Sequence, residues 1–81
     1  MNTAFQVVVI TDRRTDDGRS EVWLYAARTQ TAEEALALAK ARLTPGWTIT
    51  VTPGFLYAPA VVAEHRIGEN EIVRISTISA T

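Results

Sequence analysis

The residues with chemical potential in this chain are few. His65 is the single histidine, and there is no cysteine. A hydrolytic triad needs a nucleophile and an orienting carboxylate gathered around the imidazole. A zinc site needs several imidazole or thiolate ligands. Glu64 adjoins His65, but neighbours on an extended chain point to opposite sides, so His65 reads as a structural or surface residue. The stretch DRRTDDGRS brings Asp12, Asp16 and Asp17 together. An EF-hand loop sets its ligands at alternate positions and closes with a glutamate. Here Arg13, Arg14 and Arg19 are interleaved with the acids and would repel a cation, so we read a solvated, charge-balanced loop. The 4 glycines are scattered, and none forms a phosphate-binding loop. No catalytic constellation emerges. We expect a protein that is not an enzyme and has no metal or cofactor.

Two further groups suit binding better than catalysis. Arg13, Arg14 and Arg19, with Arg28 further along, could meet phosphates, and Trp23 and Tyr25 could stack on bases. Against this, the same two rings could pack into a core, and the intervening acids cancel the positive charge. Thr48, Thr50 and Thr52 form a Thr-x-Thr row, which reads as the wet side of a strand. The formal net charge is −1, from 8 basic and 9 acidic residues. Neither the positive surplus of a nucleic-acid binder nor the strong negative charge of a DNA mimic is present.

These residues must be held by a small fold. With 81 residues we expect one domain spanning 1–81. Its 47% hydrophobic content suffices for a core, although chains of this size bury only about 60% of their unfolded surface. The absence of cysteine suits a reducing compartment. The N-terminus lacks a basic segment followed by a long apolar run, and nothing approaches the ~20 apolar residues of a membrane span. We therefore expect a cytoplasmic protein without a membrane partner.

Residues 4–12 are apolar on both sides: Phe5, Val7 and Val9 share one face, Val8 and Ile10 the other. This predicts a strand covered on both faces. Asp17-Gly18 is a hairpin-turn signal, and 21–28 reads as the antiparallel return strand. Thr31, with Glu34 three residues later, forms a capping box for a helix whose Ala32, Ala35, Leu36, Ala39 and Leu43 share a face. Pro45-Gly46 ends it. Trp47, Ile49 and Val51 then alternate with the threonines as a third strand, closed by a second Thr-Pro-Gly at 52–54. Trp47 is expected to be largely buried, and Phe55, Leu56 and Tyr57 to plug the end of the core. Pro59 and Gly68 could frame a short helix. Val61-Val62 and the alternation of Val61, Ala63, His65 and Ile67 favour a strand, which we adopt for 60–67. A turn at Gly68-Glu69-Asn70 leads to a last strand over 71–78. The expected fold is α+β: a two-layer sandwich, one amphipathic helix packed on an antiparallel sheet, in the order β-β-α-β-β-β.

A hairpin (FQVVVITDRRTDDGRSEVWLYAAR), then a capped helix (TAEEALALAKARL), then further strands resembles the layout of several small phage-borne inhibitors of bacterial defence, including anti-CRISPR proteins. The resemblance covers roughly the first half of the chain. That group shares no sequence signature, so no residue roles transfer. It implies a protein that works by occupying the surface of another macromolecule. We accordingly expect a protein-binding module, with Arg13, Arg14, Asp16, Asp17 and Arg19 as contact residues. The partner would be another protein or complex, or a second copy joined through an edge strand. The alternatives are a small RNA- or DNA-binding domain and a homo-oligomeric accessory subunit.

Overall fold

A strand with apolar residues on alternate sides needs cover on both, and the fold is organised around that need. In the computed structural model, which describes residues 2–79, the elements are β1 (Ala4–Arg14), β2 (Ser20–Ala27), α1 (Ala32–Arg42), β3 (Thr48–Tyr57), α2 (Pro59–Glu64) and β4 (Ile72–Ser79). The four strands form one sheet in the order β3-β1-β2-β4, each pair antiparallel. The hairpin β1–β2 is thus central and β3 and β4 are the edges.

The first face of the sheet carries Val7, Val9, Trp23, Tyr25 and Ala27, packed beneath Ala35 and Ala39 of α1. Both helix alanines are fully buried, so the helix backbone lies close to the strands. The expected cap is present: the Glu34 N–H donates to Thr31 Oγ1 at 3.2 Å. Glu33 and Glu34 occupy the first turn and Lys40 and Arg42 the last, complementing the helix dipole. Gly46, at φ +95°, supplies the left-handed residue that turns the chain into β3.

The order expected for the second half requires correction. Residues 60–67 do not form a strand; α2 is a helix with Pro59 in its first turn and His65 at its C-terminus. The competing alternation was local, whereas the helix is closed by a complete backbone motif. Arg66 takes φ +52°, its N–H donates to Ala63 O at 3.2 Å, and the Ile67 N–H donates to Val62 O at 3.0 Å. This is a Schellman ending with its hydrophobic contact: Val62 and Ile67 are both buried, in one cluster with Ala4 and Ala26. That cluster lies on the second face of the sheet, because Ala26 and Ala27 point oppositely. The chain therefore runs β-β-α-β-α-β, and a small third layer covers one end of the sandwich.

The second Thr-Pro-Gly also differs from expectation. It does not end β3; it is a bulge within it. Phe5 faces Leu56 and Val7 faces Val51, so Gln6 alone spans the four residues 52–55. Gly54 adopts φ +70°, and proline is tolerated because β3 is an edge strand. Gln6 ties the bulge by accepting from Thr52 Oγ1 at 2.8 Å and donating to Tyr57 Oη at 3.1 Å. Phe55 and Leu56 are consequently 41% and 47% exposed rather than plugging the core; of the three, Tyr57 packs against the second cluster.

Arg66 holds a backbone position that glycine fills without steric cost. Arg66→Gly should raise the unfolding free energy by about 0.5–1 kcal/mol, read by urea denaturation. A loss of stability in that variant would mean that the arginine side chain contributes more than its backbone strain removes.

Candidate protein-binding surface

The β1–β2 hairpin projects a tip whose charges are largely matched among themselves. Thr15 organises it: its N–H donates to Arg19 O at 2.8 Å, its carbonyl accepts from Gly18 N at 2.9 Å, and its hydroxyl accepts from Arg19 N at 3.3 Å. The same hydroxyl donates to Asp17 Oδ1. Asp17 is further paired with Arg19 (Nε–Oδ2 3.2 Å). Arg14 donates from Nη1 to Gly18 O and to Ser20 Oγ, both at 3.3 Å. The Thr15 hydroxyl, aided by the Arg19 N–H, holds the Asp17 carboxyl below its ordinary value. Any stability that this contributes is present above the ordinary carboxylate value and is lost as pH falls below it and through the lowered folded value.

Of the five expected contact residues, Arg14, Asp17 and Arg19 thus meet at the tip and Asp16 is exposed beside them. Arg13 turns away. Its guanidinium lies 5.6 Å from the centroid of the Trp23 ring, on the α1 face, and Arg74 from β4 lies 4.9 Å from the same ring. The Trp23 indole N–H donates to the Glu21 carboxylate. Trp47 meets Trp23 edge-on at 4.9 Å and donates its own indole N–H to Asp12 Oδ1 at 3.1 Å. Trp47 is half-buried, less than expected, because its ring caps the margin of the core and its N–H reaches a carboxylate at the surface. Arg74 could not be foreseen as a partner of Trp23, since their contact depends on β4 returning beside β2.

Trp23 and Tyr25 are 9% and 8% exposed. Neither offers a free face to a base, so a nucleic-acid interface built on those rings loses its stacking platform. His65 is half-buried at the end of α2, its N–H donating to Val61 O at 3.0 Å. Among the described residues no cluster of three His, Cys, Asp or Glu side chains could hold a metal ion. Among the described residues no helix is long and apolar enough to cross a membrane.

The sheet's second face is where apolar surface stays open. α2 covers the end formed by Ala4, Ala26, Val73 and Ile75. Toward the hairpin tip the register sets Val8 beside Leu24 and Thr50, and Ile10 beside Val22 and Thr48. Ile10 is 42% exposed, and Val8 and Leu24 are half-buried. This apolar centre runs directly into the charged tip. No family model matches the chain, and comparisons with curated proteins and with solved structures found no match.

Burial pushes the Tyr25 hydroxyl above its ordinary value, and Arg74 partly opposes this. A group whose folded value is raised contributes stability that is complete below its unfolded value and lost as pH rises through the folded one. Thermal unfolding should therefore show stability falling as pH climbs past about 10, with a shallower fall in Tyr25→Phe. Equal slopes for both proteins would show that Tyr25 titrates alike in the folded and unfolded chains. Arg74→Ala should cost about 1 kcal/mol in urea unfolding, through the lost cation–ring contact and the lost cover of its aliphatic stem.

Proposed function

We propose that this chain is a small non-enzymatic protein-binding module that works by occupying a partner's surface. The observation that carries this reading is the open half of the second sheet face. Ile10 stands 42% exposed there beside buried Val22, next along the face from the half-buried pair Val8 and Leu24, and the tip bearing Arg14, Asp16, Asp17 and Arg19 borders it. An apolar centre with a charged rim is the anatomy of a protein interface. Interleaved charges of both signs at the rim favour register with a protein surface over uniform attraction to phosphates. An inhibitor carried by a phage or mobile element is the narrower version of this reading, in keeping with the resemblance of the hairpin–helix layout.

The test uses the full chain as bait against a bacterial lysate, with two variants. Ile10→Asp removes the apolar centre, and the double change Arg14→Glu, Arg19→Glu inverts the rim. We expect a specific partner to be retained by the wild type and lost with either variant, while circular dichroism shows both folded. Retention of the same proteins by all three baits, or of none by any, would defeat the proposal.

A further inference from the structure

The β3 edge has two properties that together point to one occupant. The first is charge. From Leu43 to Ala63 the sequence contains no Asp, Glu, Lys or Arg, a stretch that includes all of β3. Edge strands are ordinarily defended against pairing by charged side chains, bulges or proline. The opposite edge strand, β4, carries one charged residue, Arg74, whose guanidinium lies over the Trp23 ring. On β3 the bulge at 52–55 and Pro53 interrupt the far end, leaving Thr48–Val51 as a regular, uncharged edge in register with β1, with Thr52 next in the chain as the first bulge residue.

The second property is symmetry. With Thr52 included, that segment reads Thr-Ile-Thr-Val-Thr, a near-palindrome about Thr50. We propose that β3 pairs antiparallel with β3 of a second copy, around a two-fold axis at Thr50 and perpendicular to the sheet. Thr50 then faces its own counterpart, Thr48 faces Thr52, and Ile49 faces Val51. An axis in that direction keeps each face continuous across the junction. The threonines meet on the second face, where Thr48 and Thr50 are exposed. The β-branched pair meets on the α1 face, where Ile49 lines a groove with Trp47, Lys40 and Pro45 and is open beside the edge. Thr–Thr pairs and pairs of β-branched residues are favourable cross-strand neighbours. A two-fold contact must complement itself, and this segment does so residue by residue. The product is an eight-stranded sheet, four strands from each copy, with both open half-faces on one side.

This inference goes beyond the binding of a foreign partner and does not depend on it, because the purified chain alone decides it. By sedimentation equilibrium the wild type should reach twice the 8.9 kDa of one chain as concentration rises. Thr50→Lys and Thr50→Glu should each remain single chains, since like charges would face each other across the axis. An equimolar mixture of the two should regain the doubled mass. The chain has no cysteine, so introduced thiols report the register. Thr50→Cys should oxidise to a linked pair, opposite Cα atoms lying about 4.5–5.5 Å apart, within disulfide reach. Thr48→Cys should link to Thr52→Cys and not to itself. A wild type that stays at single-chain mass at every concentration overturns the proposal. So does a mixture of the lysine and glutamate variants that fails to associate, or self-linkage of Thr48→Cys matching that of Thr50→Cys.

Discussion

The structure depends on the need to cover both faces of the central hairpin. Val7 and Val9 point to one side and are fully buried, while Val8 and Ile10 point to the other. Leu24 and Ala26 on β2 oppose Val8 and Gln6 and extend that second apolar surface. A chain of 81 residues can supply few covering elements. The longer helix, α1, covers the first face, and its alanines allow the close approach that shields Val7 and Val9 from water. The six-residue α2 covers the end of the second face around Ala4 and Ala26. At the hairpin end of that face Ile10 stays exposed, beside buried Val22 and the half-buried Val8 and Leu24.

The polar features follow from the same arrangement. On the α1 face the core thins toward the hairpin, and the gap is filled by aromatic rings with polar fastenings. Trp23 and Trp47 each direct the indole N–H to a carboxylate, while Arg13 and Arg74 approach the Trp23 ring. The arginines that suggested a basic patch are thereby divided. Arg13 serves this aromatic corner, and Arg14 and Arg19 are engaged with the backbone and acids of the tip. The tip is an ordered set of charges of both signs beside apolar surface.

Local chemistry made several elements legible. Thr31 and Glu34 marked the start of α1, and the actual N–H to hydroxyl bond lies where that spacing puts it. Asp17-Gly18, the clean alternation after Trp47 and the turn at Gly68–Asn70 placed the hairpin, the start of β3 and the entry to β4. The misread segments are those where two local signals competed. In Val61-Val62 the β-branched residues favoured a strand, but Val62 and Ile67 reach the same cluster only if the chain completes a helical turn and reverses at Arg66. At 52–54 proline and glycine signalled a turn. On an edge strand the same pair makes a bulge, because proline there has no inward hydrogen bond to forfeit. The contact residues at the tip were legible as a cluster, but their division between the two sides of the sheet was not.

By itself the sequence determined the antiparallel hairpin, the capped helix, the alternation of β3 and the absence of thiol chemistry. These depend on neighbours a few residues apart: caps, turn residues and the two-residue period of a strand. Only the tertiary structure decided that β3 and β4 flank the hairpin rather than each other, that Trp23 is enclosed by residues from β1, β3's approach and β4, and that α2 lies opposite α1. Each of these depends on which surfaces meet after the chain has folded back. The degree of cover on the second sheet face was decided at that level too, because it is set by the placement of one short helix.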